Sequence, residues 1–310
     1  MSSRPSLPAG SSIITDEHSV TPIVREAFSK IEDPRLREIV GTVIQHLHDC
    51  VRELRLTQEE WEQAIGFLKG VCLATNDRYN GPMAMSDLLG VSSLVCAMND
   101  RTRSRDSEYQ TASSVMGPLW RANAPLLPNG SSLLRSPTTG DPLVVRGRVL
   151  DTSGNPLRQV AVHVWQASPA GLYENQDKNQ AEMNLRGQFC TDDDGRFEFT
   201  SVVPSGYPGT GTEPLATLLR RAKRHPFRPA HIHFIFHKQG FSTLVSQIFD
   251  PHCPHVHRDV AFGVTESLLG DFRRHDEPAP VSGMASPWYS LDHTFILVAG
   301  EARLPLPPID

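Results

Sequence analysis

Residues 144–165 read VVRGRVLDTSGNPLRQVAVHVW. Side chains along a strand alternate between two faces, so the stretch is read at a period of two. Leu143 to Asp151 reads as a strand and Ser153-Gly154-Asn155-Pro156 as its turn. Val160, Val162 and Val164 then alternate with Ala161, His163 and Trp165 along a return strand with two distinct faces. Downstream, Gly187 to Thr191 is a short strand, and Asp193-Asp194-Gly195 turns the chain into Arg196-Phe197-Glu198-Phe199. Ala230 to His237, Leu244 to Phe249 and Phe295 to Ala299 complete the set. Short strands with frequent turns predict a β-sandwich over residues 143–310 and a mainly β fold class.

Upstream the period changes. Asp33 can cap a helix with Pro34 at its first position. Leu36, Ile39, Val40, Val43, Ile44, Leu47, Val51 and Leu54 recur at three- and four-residue spacing and form one apolar stripe. Thr57-Gln58-Glu59-Glu60 opens a second helix with a capping box, and its stripe is Trp61, Ile65, Leu68 and Val71. A third apolar stretch runs from Leu88 to Met98. These divisions give a polar tail over 1–20, a helical segment over 21–105, a Pro/Gly-punctuated connector over 106–142 and the β region after it. Three short helices suit an adaptor or subunit interface as readily as an independent domain.

The 310 residues carry a net charge of -5, which provides no electrostatic footprint for nucleic acid. No apolar run approaches the roughly 18 residues of a membrane span. The start, MSSRPSLPAGSS, lacks the apolar core of a secretory signal, so a cytoplasmic location is expected. Cys50, Cys72, Cys96, Cys190 and Cys253 are scattered, without CxxC spacing, and read as free thiols.

The chemistry concentrates in Arg228-Pro229-Ala230-His231-Ile232-His233-Phe234. Residues two apart on a strand share a face, so His231 and His233 project side by side while Ile232 and Phe234 enter the opposite layer. Two such imidazoles can share a metal, or can simply be a hydrogen-bonded pair. Tyr173 in Gly171-Leu172-Tyr173 and Tyr207 in Pro204-Ser205-Gly206-Tyr207-Pro208 lie upstream in turn-rich loops. Taken singly, each reads as a core ring with a bonded hydroxyl.

Together these motifs resemble the intradiol ring-cleavage dioxygenases. The resemblance runs through DPRLREIVGTVIQHLHDCVRELRLTQEEW (33–61), DLLGVSSLV (87–95) and SSVMGPLW (113–120). It continues through VHVWQASPAGLYENQD (162–177), NLRGQFCTDDDGRFEFTSVVPSGYP (184–208) and RPAHIHFIF (228–236). It implies a catalytic β-sandwich with an N-terminal α-helical dimerisation segment. It implies one Fe(III) per subunit, held by Tyr173, Tyr207, His231 and His233, with Arg228 and Gln247 as active-site residues. Phenolate oxygens are hard anions and imidazole suits iron, so this donor set favours a trivalent ion. In the implied reaction the diol binds iron as a dianion, and Tyr207 and an iron-bound hydroxide leave and accept its two protons. O2 then attacks the activated ring, and Arg228 stabilises the developing negative charge.

The helical segment points to the catechol or hydroxyquinol branch, usually homodimeric, with lipid at the helical interface in some relatives. The long stretch 204–231 and DVAFGVTESLLGDFRRHD (259–276) look more like the hydroxyquinol group, whose product is maleylacetate. Asp87 matches an acidic pocket position of that group that can bond a third hydroxyl, and reads equally as an N-cap for a helix at Leu88. Val115, Gly117 and Pro118 are expected in the pocket wall.

Other readings compete. Asp250-Pro251-His252-Cys253-Pro254-His255-Val256-His257 gathers three histidines and a cysteine that can bind zinc or copper. The stretch 147–165 also looks like a transthyretin-like binding module without catalysis. His237 shares the face of His231 and His233 but reads as outside the ligand set. His46 and His48 are two apart on a helix and point to different faces, and Asp192-Asp193-Asp194-Gly195 reads as a turn rather than a calcium loop.

Overall fold

The computed structural model describes residues 13–103, 110–209 and 212–309. The chain forms two compact units, one up to Phe67 and one from Leu68 onward.

The first unit holds α1 (Val20–Ala27), α2 (Pro34–Leu54) and the start of α3 (Gln58–Leu73). Asp33 caps α2 as expected, accepting from the amides of Arg35 at 2.8 Å and Leu36 at 3.1 Å. The capping box before α3 also forms, with Glu60 accepting from the Thr57 amide at 2.9 Å and Thr57 Oγ1 accepting from the Glu60 amide at 3.2 Å. α1 was not anticipated, because two turns are too few to display a helical period. Thr21 fastens it to α2, with its hydroxyl 3.0 Å from His48 Nδ1 and 2.9 Å from Arg52 Nη1. Leu36, Ile39, Val43, Leu47, Val51 and Leu54 of the α2 stripe remain exposed.

The second unit opens with the rest of α3, then α4 (Gly81–Leu88) and α5 (Val91–Arg103). The expected single stretch from Leu88 to Met98 is therefore broken at Gly90, which has a φ of 74° and lies where the two helices bend by 71°. Asn80 caps α4, its Oδ1 accepting from Met83 N at 3.0 Å. This corrects the N-cap reading of Asp87. The residue lies in the last turn of α4, and its carbonyl accepts from Gly90 N at 3.0 Å.

Two four-stranded sheets follow. One has the order β4 (Arg196–Val202), β1 (Pro142–Asp151), β10 (Trp288–Leu297), β9 (Phe272–His275), and the other β3 (Arg186–Cys190), β2 (Ala161–Gln166), β7 (His231–His237), β8 (Leu244–Phe249). β1 runs parallel to β10, and the remaining pairings are antiparallel. β2 is thus not the hairpin partner of β1. After Leu157 N bonds Val149 O at 2.9 Å, Gln159 takes a φ of 54° and the chain crosses to the other sheet. Periodicity sets the faces of a strand and leaves its partner open. β10 begins at Trp288 rather than at Phe295, because Asp292 and His293 interrupt its apolar pattern. A short pair, β5 (Tyr207–Pro208) with β6 (Phe227–Arg228), and the helix α6 (Leu215–Arg221) complete the unit.

The core lies between the two sheets. Val145, Val149, Phe197, Phe199 and Phe295 meet Val162, Val164, Phe189, Ile232, Phe234 and Phe236 there. Gly147 is required beneath Phe197, since a Cβ would lie 2.0 Å from that ring. The outer face of the second sheet is also covered. Trp165 and Ile235 pack there with Leu119, Trp120, Ala167, Tyr173, Tyr207 and Ile309. That second apolar layer buries His231 and His233 to 1% and 2% exposure. No single described helix is long and apolar enough to cross a membrane.

Candidate active site

β7 directs Ile232, Phe234 and Phe236 into the main core and His231 and His233 into the outer layer. Two loops bring the tyrosines over them. Tyr207 pairs in register with Arg228 across β5 and β6. Tyr173 follows Gly171, which has a φ of 77° and passes so close to Tyr207 that a Cβ would lie 3.1 Å from the Tyr207 Cβ. The structure thus brings together the four side chains singled out in the sequence. Tyr173 Oη lies 3.0 Å from Tyr207 Oη and 3.1 Å from His233 Nε2, Tyr207 Oη lies 3.4 Å from His231 Nε2, and the two Nε2 atoms are 3.0 Å apart.

This arrangement fits a single ion. His231 Nδ1 donates to Pro229 O at 2.7 Å, leaving the Nε2 lone pair directed at its neighbours. Burial, then Arg228, depresses the His231 imidazole to about 3, and burial, then His231, holds His233 well below its ordinary value. Neither ring carries charge at neutral pH. Burial raises both phenols, with Tyr207 adding to the effect on Tyr173 and Arg228 opposing it at Tyr207. These four neutral donors are linked in a ring by separations of 3.0–3.4 Å, a spacing compatible with bonds of about 2 Å to one shared first-row ion. A trivalent cation is what would draw both phenols to phenolates.

Arg228 is buried beside this cluster. Its Nε and Nη2 donate to Asp259 Oδ1 at 3.1 Å and Oδ2 at 2.9 Å, Nη2 also donates to Gln247 Oε1 at 2.9 Å, and Nη1 lies 3.4 Å from His231 Nε2. Burial works against its charge, but Asp259 and Tyr207 more than offset this and raise its proton affinity. Gln247, opposite His233 on β8, donates its amide to the Val115 carbonyl. Asp259 accepts the amides of Ala261 at 3.1 Å and Gly263 at 2.9 Å, and although burial raises its carboxyl, Arg228 and these bonds bring it below the ordinary value.

Asp259 was missed in the sequence, where its stretch bore only on substrate preference. An acid far along the chain from its arginine leaves no periodic trace. Trp165 was read only as a strand residue, yet it stacks on His233 at 4.4 Å with 7° between the planes. Glu174 and Arg186, both 1% exposed, pair at 2.6 Å, and the Arg186 guanidinium carbon lies 5.5 Å from the Tyr173 ring centroid.

A pocket opens beside Tyr207 and Arg228, lined also by Tyr79, Ala84, Asp87, Pro118 and Ala261. Val115 and Gly117 are not among its lining residues. Val115 is buried where its carbonyl receives Gln247, and Gly117 abuts His233, where a Cβ would lie 3.7 Å from Cε1. The cluster at 250–257 forms no metal group. Among the described residues no three of His, Cys, Asp or Glu are placed to hold an ion. Cys253 Sγ instead accepts from Ala230 N at 3.3 Å, and His255 stacks on Phe227 at 4.5 Å. His237 lies apart from the four donors and bonds Thr243 Oγ1 at 3.0 Å.

Residues 33–107 match the family model described as catechol dioxygenase N terminus, and residues 115–293 match that described as dioxygenase. The chain is 44% identical over 270 residues to the hydroxyquinol 1,2-dioxygenase of Rhizobium sp. (strain MTP-10005), covering 86% of this chain and 90% of that protein. The chain belongs to the intradiol ring-cleavage dioxygenase family. This dioxygenase is also 34% identical to the catechol 1,2-dioxygenase of Candida albicans, over 83% of its own length and 84% of the relative's. The crystal structure of hydroxyquinol 1,2-dioxygenase from Pseudomonas putida DLL-E4 superposes with a TM-score of 0.78 at 32% identity, covering 92% of this chain and 99% of that one.

The pocket carboxyl of Asp87 is raised to about 6, chiefly by burial, with a bond from Ser92 and the charge of Arg228 opposing the rise. An acid with a raised pKa binds more protons folded than unfolded between pH ~4 and ~6, so its presence destabilises the fold as pH rises through that window. Asp87→Asn is therefore expected to match the wild type near pH 4 and to exceed it in stability by about 2–3 kcal/mol at pH 7. Urea unfolding across that range measures the difference, and a gap that does not change with pH contradicts the burial of a charged Asp87.

Proposed function

We propose that this dioxygenase opens hydroxyquinol (benzene-1,2,4-triol) between its 1- and 2-hydroxylated carbons, using one Fe(III) held by Tyr173, Tyr207, His231 and His233. The observation that carries the reading is the convergence of these four donor atoms at 3.0–3.4 Å beside a pocket lined by both Arg228 and Asp87. Bound Fe(III) supplies Lewis acidity for the diol and activates the ring toward O2.

The chain's own groups do the rest. Tyr207 lines the pocket and would be a phenolate when it holds the ion, and because burial raises its proton affinity that phenolate would be placed to take a proton from an entering diol hydroxyl. Arg228 cannot swing away from the pocket while Asp259 and Gln247 hold it, so it offers a fixed cation to an anionic diol. Asp87 supplies an acceptor for the third hydroxyl, and the name of the Rhizobium relative supports that choice. Catechol is the second reading, supported by the Candida relative.

Iron-loaded protein is expected to consume O2 faster with hydroxyquinol than with catechol, and equal or inverted rates exchange the two readings. Tyr173→Phe and Tyr207→Phe should each weaken the visible phenolate-to-iron absorption, and a spectrum untouched by one of them removes that residue from the ligand set.

The exposed α2 stripe supports a homodimer joined through the N-terminal helices. Sedimentation is expected to give twice the chain mass, shifting toward the monomer with Leu47→Glu. A wild-type monomer at micromolar concentration contradicts this assembly.

A further inference from the structure

The pocket wall contains a contact that the reaction itself does not use. α4 ends at Leu88, and the last carbonyls of a helix lack helical partners. Arg224 Nη1 donates to the Leu88 carbonyl at 3.2 Å, and Nη2 of the same guanidinium donates to the Val260 carbonyl at 3.0 Å. Its central carbon sits 4.5 Å from the centroid of the Phe262 ring, which covers one face of the cation. Phe262 holds a φ of 56°, a conformation rare for an aromatic residue.

Leu88 and Val260 both line the pocket and belong to separate elements. Leu88 follows Asp87 at the end of α4, and Val260 follows Asp259, which holds Arg228. Further bonds keep the loop after Asp259 in place. Ser93 Oγ donates to Ala261 O at 2.8 Å and Ser114 Oγ to Gly263 O at 2.8 Å. These fasten the loop to α5 and to the segment before Val115, and Arg224 is the tie that reaches α4. Arg224 is not itself a lining residue of the pocket, so any effect on substrate passes through the two carbonyls.

We propose that Arg224 is a positioning residue that determines specificity: by bridging the Leu88 and Val260 carbonyls it fixes the span between the Asp87 end of α4 and the Asp259 loop, and with it the space offered to a ring substituent. The planar guanidinium satisfies two carbonyls at once in a set geometry, whereas a lysine ammonium on a flexible stem holds no such fork. Its positive charge also suits the C-terminal end of α4. The inference rests on reading this pocket as the diol site.

The test uses the full-length, iron-loaded protein with Arg224→Met and Arg224→Lys, followed by O2 uptake with hydroxyquinol and catechol. Arg224→Met is expected to raise KM for whichever diol the wild type prefers by about tenfold, with kcat within about twofold. Arg224→Lys should fall between the two, and it carries the test alone if the methionine variant does not fold. The visible absorption of the iron site should stay where it is in both. An unchanged KM, or a fall in kcat accompanied by a shifted visible band, overturns the proposal, the latter because the substitution then acts on the iron site as a whole. A wild-type preference for catechol overturns the hydroxyquinol reading alone, since KM for catechol then tests the bridge.

Discussion

Two deeply buried imidazole nitrogens face each other at 3.0 Å, with two phenol oxygens 3.1–3.4 Å from them. Burial keeps all four groups neutral, and the phenols and imidazoles meet one another at hydrogen-bond distance. That cluster is the site proposed for a shared cation, and two packed layers of the fold hold it in place. β7 must be buried on both faces to supply it, which is why the second sheet carries an apolar layer outside as well as inside. Trp165 stacking on His233 belongs to that outer layer, so a core residue also fixes a donor ring.

The charges around the cluster are arranged in pairs that leave one function free. Arg228 has its charge balanced by Asp259 and its orientation set by Gln247, so the guanidinium is held in place before any substrate arrives. Arg186 is balanced by Glu174 and lies against Tyr173 on the other side. Each tyrosine therefore has its own buried arginine, but only Arg228 lines the pocket. A buried charge without a partner is strongly destabilising, by roughly 3–5 kcal/mol, and each acid here prevents that at an arginine.

The sequence made the donor set legible because it is local in two senses. His231 and His233 are neighbours on a strand face, and Tyr173 and Tyr207 sit in short turn-rich motifs that can be recognised as written. The strand alternation gave the faces correctly for Ile232, Phe234, Phe197 and Phe199. It did not give partners. β1 and β2 were read as consecutive and lie in opposite sheets, because the crossing depends on Gln159 adopting a positive φ, which an alternation pattern does not contain. Asp259 went unread as the partner of Arg228 for the same reason: the two stand 31 positions apart in the chain, and only the fold closes that distance.

Asp87 shows what such a site demands of its surroundings. Its carboxyl is held in the last turn of α4, where burial raises it and Ser92 and Arg228 only partly compensate. A group placed for packing alone would be apolar, as Leu88 beside it is. A carboxyl there, with its pKa raised by burial, is the feature on which the proposed recognition of a third hydroxyl rests. Gly90, two residues beyond the end of α4, separates that helix from α5. The bend at Gly90 leaves the Leu88 carbonyl free of the helix, and the guanidinium that takes it also bonds the Val260 carbonyl in the loop after Asp259. Asp87 in the pocket wall and Asp259 beside Arg228 are thus each followed by a residue whose carbonyl bonds the same guanidinium.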